Sequence, residues 1–142
     1  FGLEIIDLYV EQSAALMDAT LGNKTITPLK RLEFYVDMAI GKFCEGRLKT
    51  GCLLGNFAAE ASDHSDLLRK RLAEEFAKLR TALAACLADA VSVGELPRGF
   101  DCEGTATLIQ SGLQGAHLIG KAAQSTVALE EFKRVLFTKV LR

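Results

Sequence analysis

Thr50-Gly51-Cys52-Leu53-Leu54-Gly55-Asn56-Phe57-Ala58-Ala59-Glu60 is the stretch from which the rest of the chain is read. It is almost free of charge, with Glu60 its single formal charge. Lys42, Arg47 and Lys49 lie before it, and Asp63, Asp66, Arg69, Lys70 and Arg71 follow. The Thr50 hydroxyl can cap a helix start, and Gly51 lets the chain turn sharply into it. Cys52 then sits in the first helical turn, where unpaired amides point and the dipole is positive. That setting lowers a thiol pKa and makes the sulfur reactive. The alternative is that Cys52 is a small buried hydrophobe.

On either side of this stretch the apolar residues recur at helical spacing. Leu3, Ile6, Val10, Ala14, Met17 and Leu21 make one stripe over Gly2 to Leu21, and Gly22-Asn23, both tolerant of left-handed angles, stop it. Thr27 as N-cap and Pro28 in the first turn start a second helix. Leu29, Leu32, Val36, Ala39 and Phe43 form its apolar row, Phe34 and Met38 lie off that row, and Gly46 ends it. The short third helix runs from Cys52 to Ala61. Ser65 caps a fourth, from Asp66 to Val93, whose seam is Leu72, Phe76, Leu79, Leu83, Cys86 and Ala90. Glu74 and Lys78 are spaced to pair on its wet face. Gly94 ends it, and Pro97-Arg98-Gly99 makes a turn.

Asp101 caps the fifth helix, Cys102 to Ala123, which has no acidic or basic residue from Thr105 to Gly120. Gly104, Gly112, Gly115 and Gly120 each cost up to about 1 kcal/mol against alanine inside a helix, so close approach of another helix is expected there. The sixth helix follows Thr126, with Leu129, Phe132, Leu136 and Val140 in one row and Val135 and Phe137 widening it. The expectation is an all-α, six-helix bundle forming one domain over residues 1–142.

The composition fits. The chain has 142 residues, 49% hydrophobic and 25% charged, with a net charge of -1 and only two prolines. That is enough apolar material for a sizeable core, and nothing in the charge favours nucleic-acid binding by these residues. No apolar run approaches the roughly 20 residues that cross a bilayer. No basic n-region of a signal peptide opens the chain, so a cytoplasmic protein without a membrane partner is expected. The chain opens inside a helical pattern at Phe1, which suggests that a segment precedes it. Cys44, Cys52, Cys86 and Cys102 form no CxxC pair and match no zinc framework, so they read as reduced thiols.

Catalytic constellations are scarce. His64 and His117 are the only histidines, and no nucleophile–base set or phosphate loop is present. Glu60 and His64, four apart, are at most half of a metal site, and no metal or cofactor is expected. The polar residues on apolar helices are more telling. Asn56 follows Gly55 within an apolar run, and Gln110, Gln114 and His117 share one side of the fifth helix. They either bond neighbouring backbone or orient a ligand in an apolar pocket.

Gly51-Cys52-Leu53-Leu54-Gly55-Asn56-Phe57-Ala58-Ala59-Glu60, the long charged helix after it, and Leu113-Gln114-Gly115-Ala116-His117-Leu118-Ile119-Gly120-Lys121 together resemble the regulatory half of TetR-family transcriptional repressors. The resemblance spans nearly the whole chain in helix order and length. It implies an effector-binding domain of six helices, a homodimer through the last two, and operator DNA bound by a three-helix head preceding Phe1. Cys52 matches the cysteine of relatives that sense electrophiles such as N-ethylmaleimide, quinones and aldehydes, or reactive chlorine. Other relatives with a similar segment bind flat aromatic effectors without thiol chemistry.

Three sets of residues follow as expectations. An effector pocket lies among the first, second, fourth and fifth helices, with Phe34, Met38, Phe57, Leu83 and Cys86 as walls and Asn56, Gln110, Gln114 and His117 as polar points. Its ligand is a neutral or weakly acidic apolar molecule. Cys52 is the sensing thiol, with the Lys121 ammonium lowering its pKa, unless Lys121 snorkels to solvent and Cys52 is inert. Gly112, Gly115, Ile119, Phe132, Leu136 and Val140 form the seam of a dimeric four-helix contact. The rival to a regulator is a stand-alone helical binding or scaffold protein; an enzyme is the weakest reading.

Overall fold

The computed structural model of the protein describes residues 2–46 and 65–142. Among them every regular element is helical: α1 (Gly2–Ala19), α2 (Pro28–Glu45), α3 (Asp66–Ser92), α4 (Cys102–Ala123) and α5 (Val127–Val135). A π-helical turn, Leu136–Val140, carries α5 onward. The long helix expected fourth is therefore α3, and the uncharged glycine-bearing helix is α4. The short helix expected at Cys52–Ala61 lies outside the described residues, and so do Glu60 and His64.

The helix ends show which local signals act. The Ser65 hydroxyl accepts from the Leu68 amide at 3.2 Å, and the Asp101 carboxylate accepts from the Gly104 amide at 2.8 Å. Both satisfy first-turn donors that have no partner within the helix. Thr27 is extended but makes no side-chain cap, so α2 starts on Pro28 instead. Gly22 and Asn23 do not adopt left-handed angles. The Gly22 amide bonds the Met17 carbonyl at 2.9 Å, and the Thr20 hydroxyl bonds the Leu16 carbonyl at 2.7 Å. Gly94 and Gly99 do sit at positive φ, 86° and 81°. The left-handed cap of α4 is Gln124, at φ 51°.

Helix α4 packs on α3 and on α5, α2 packs on α3 and touches α5, and α1 packs on α3. The main core joins Leu32, Val36 and Phe43 of α2, Leu83, Leu87 and Ala90 of α3, Ala106, Ile109 and Leu113 of α4, and Leu129 and Leu136. The N-terminal half of α1 has its own small cluster, where Ile6 meets Leu72 with Tyr9, Val10, Leu68 and Phe76 around them. An ion pair adds to this contact: Arg71 of α3 reaches Asp7 of α1 at 2.8 Å. At the other end, buried Arg31 ties α2 to Asp89 of α3 at 2.8 Å and bonds the Ile26 carbonyl at 2.7 Å.

Two α4 glycines are sites of close approach. A Cβ on Gly112 would meet the Phe132 ring of α5 at 2.5 Å. One on Gly120 would meet the Ser125 carbonyl at 2.8 Å and the Phe43 ring at 3.1 Å. Gly115 differs, with nothing within 4 Å of that position. Gly104 belongs to the helix start, against the Asp101 carboxylate.

Candidate effector cavity and groove

A cavity of 180 Å³ lies between α1, α2, α3 and α4. Met17, Leu79, Leu83, Ile109 and Leu113 give it apolar walls. Small or polar side chains, Ser13, Ala39 and Gln110 among them, also line it.

Four residues expected to line a pocket do line this cavity: Leu83, Gln110, Gln114 and His117. The Gln110 amide donates to the Phe76 carbonyl of α3 at 2.8 Å. His117 is buried, with Nδ1 2.9 Å from the Leu113 carbonyl and a further backbone hydrogen bond to Ala39. Its ring stands edge-on to Phe43, centroids 5.8 Å apart. Burial pulls its pKa below the ordinary histidine value, although both backbone carbonyls favour the charged form. Gln110 and His117 thus bond backbone and face the cavity at once; the two readings of these residues are compatible.

Three expected wall residues stand elsewhere. Phe34 is 40% exposed and Met38 45% exposed on the outer side of α2. Tyr35 and Ala39, each one residue further along, line the cavity instead, because one residue turns the side chain by about 100°. Cys86 lies in the core, where its thiol donates to the Pro28 carbonyl at 3.2 Å. Burial pushes that thiol up to about 11, the setting of an inert cysteine. Asn56, Phe57 and Cys52 lie outside the described residues. Lys121 is half-buried in the last turn of α4 and does not line the cavity.

Sequence reasoning missed Tyr9, Tyr35, Lys42, Glu75 and Lys78, all on the lining. A signal for two of them exists. Glu75 falls three after Leu72 and four before Leu79, on the buried stripe of α3. Lys42 continues the face of Tyr35 and Ala39 at spacings of four and three. Glu75 is 7% exposed, and its Oε1 accepts from Arg71 at 2.6 Å and from Lys78 at 3.0 Å. The expected Glu74–Lys78 pair is therefore replaced by Glu75–Lys78, because Lys78 gains more beside a carboxylate shielded from water.

A second concavity, an open groove of 460 Å³, runs between α4 and α5. Gly112, Gly115, Ile119, Phe132, Leu136 and Val140 all line it, with Leu108, Ala116, Ala128 and Val135; among the described residues, Glu131 is the only charged one on the lining. Leu108, Ile119 and Val135 are exposed there, 53%, 60% and 39%.

Among the described residues, no group of three or more His, Cys, Asp or Glu stands where it could hold a metal ion, and no helix is long and apolar enough to cross a membrane.

The chain is similar along nearly its whole length to known regulators. It is 27% identical over 141 residues to the HTH-type transcriptional repressor DhaR of Mycobacterium sp. (strain GP1), covering 99% of this chain and 69% of that one. It is 28% identical over 134 residues to the transcriptional regulator AcuR of Cereibacter sphaeroides, covering 94% of this chain and 61% of the relative. The crystal structure of a regulatory protein TetR from Rhodobacter sphaeroides superposes with a TM-score of 0.89 at 28% identity, over 95% of this chain and 71% of that one. The family of tetracyclin repressor-like C-terminal domains matches residues 28–136. With that match over most of its length, and with the helix order and fold of a TetR protein, the chain belongs to the TetR family of transcriptional regulators, in its C-terminal domain.

Proposed function

We propose that residues 1–142 are the effector-binding and dimerisation domain of a DNA-binding transcriptional repressor, and that the cavity between α1, α2, α3 and α4 receives a small, largely apolar effector. The observation that carries this reading is the cavity itself: apolar walls with a few oriented polar groups, Gln110, Gln114 and His117, lie where four helices of a regulator fold meet. Binding there biases an existing equilibrium between two helix arrangements, so the effector must prefer one of them. Operator DNA is then engaged by a helix-turn-helix head outside these residues. DhaR, described as an HTH-type transcriptional repressor, supports that extension.

The groove between α4 and α5 is the proposed dimer seam. Its apolar lining and exposed Leu108, Ile119 and Val135 suit a two-fold copy of the same surface. Cys52 is proposed as a second input that reads electrophiles or oxidants, with the Lys121 ammonium lowering its pKa. The support is the sequence pattern alone, Thr50-Gly51 ahead of Cys52 being residues suited to a helix start.

Mass spectrometry of the native protein tests the cavity by looking for a retained small molecule. Wild-type protein should carry or accept one, and Gln114→Leu with His117→Phe should weaken it. A double variant with every effector response intact refutes the assignment. Sedimentation at micromolar concentration tests the seam, where a monomer refutes it.

A further inference from the structure

Resting on the reading of the cavity as an effector site, we propose that it takes a small amphiphilic anion, an apolar body ending in a carboxylate, and that Lys42 pairs with the charged end. Among the described residues, three side chains of acidic or basic type besides His117 line the cavity: Lys42 of α2, and Glu75 and Lys78 of α3. Glu75 already holds Arg71 and Lys78, so its charge is answered from within the protein. Lys42 pairs with no carboxylate among the described residues. Burial lowers the His117 pKa and so disfavours its charged form. Among the described residues the lining therefore presents two ammonium groups against one carboxylate, and Lys42 is the one with no carboxylate partner there. A ligand leaving water for this space keeps a charge at least cost when that charge is negative and meets Lys42. A cation would meet a carboxylate that already holds both Arg71 and Lys78 at Oε1.

The same geometry sets orientation and size. Lys42 is exposed, so the charged end sits at the mouth while the apolar body enters between Met17, Leu79, Leu83 and Ile109. A cavity of about 150 Å³ with apolar walls holds a benzene molecule. At 180 Å³ the space admits a body of that order and not a long chain.

Isothermal titration of the 142-residue chain with matched probes decides the matter. The probes are hexanoate and benzoate, their uncharged amides, and hexylamine and benzylamine, at neutral pH. The acids should bind up to about fivefold more tightly than the amides, the upper end for an exposed ion pair, and the amines most weakly. Lys42→Met should bring the acids down to the amides and leave the amides unchanged. Amides equal to acids, amines tightest, or an acid preference that survives Lys42→Met would each overturn the inference while leaving the cavity an effector site. If no probe of any charge binds the wild-type chain, the effector reading of the cavity fails, and this inference with it.

Discussion

Arg71 donates to Glu75 Oε1 at 2.6 Å across one turn of α3, and the same guanidinium holds Asp7 of α1 at 2.8 Å. One side chain thus links the cavity lining to the first helix. The two halves of the link are unequal: Glu75 is 7% exposed, whereas the Asp7 side chain is 64% exposed. Arg71→Met leaves a shielded carboxylate with Lys78 as its remaining partner, and Asp7→Asn leaves a solvated cation. Arg71→Met should lower the urea midpoint clearly, and Asp7→Asn should barely move it. Amide exchange in α1 should accelerate in both. Equal midpoints for the two variants would contradict this ranking.

The α4 glycines separate packing from propensity. Gly115→Ala meets nothing within 4 Å, so it should stabilise the isolated chain by about 0.5–1 kcal/mol through helix propensity. Gly112→Ala meets the Phe132 ring at 2.5 Å and should destabilise, since overpacking costs about 1–3 kcal/mol. If the groove is the dimer seam, Gly115→Ala should also weaken association in sedimentation. A variant more stable and equally dimeric would move the seam elsewhere.

The pH dependence of stability carries a His117 signature. Its folded pKa is lowered, chiefly by burial, so the unfolded chain takes up the proton first. The stabilisation is fully present above the unfolded value of about 6.5 and is lost as pH falls below it, by at most about 1.4 kcal/mol per pH unit. Urea midpoints of wild type and His117→Phe, compared on both sides of that value, read the difference. The variant should lose less stability on acidification; a parallel loss would mean that His117 is not neutral in the fold.

Thiol reactivity should follow burial. Cys44 is exposed, Cys102 half-buried and raised by burial and by Asp101 and Glu103, and Cys86 buried and raised to about 11. Alkylation should run in that order, with Cys86 slowest in the native state. This ladder is the standard for Cys52. A sensing thiol must outrun even exposed Cys44, and do so less in Lys121→Met. A Cys52 rate below that of Cys44, unchanged by Lys121→Met, would leave only the reversible cavity.

The helical order of this protein is written locally. Leu32, Val36 and Phe43, or Leu72, Leu83 and Ala90, repeat at the helical period, and Ser65 and Asp101 mark starts through a hydrogen bond a few residues away. Such signals involve neighbours in the chain, so the sequence by itself determined the helices found among the described residues, their order, most of their buried stripes (Ala14 of α1 is exposed) and the apolar face of α4 and α5. The side of α2 that meets the cavity was a different matter. Phe34 and Met38 outrank Tyr35 and Ala39 in hydrophobicity, yet it is the latter pair that faces inward. That choice depends on how α2 rotates against α3, which is set by contacts such as Arg31 with Asp89, 58 residues apart. The pairing of Glu75 with Lys78 in place of Glu74, and the difference between Gly112 under Phe132 and Gly115 in the open, arose the same way. Only the tertiary structure decided them, because burial, and with it the strength of a charge or the cost of a methyl group, is a property of the packed helices and not of any one of them.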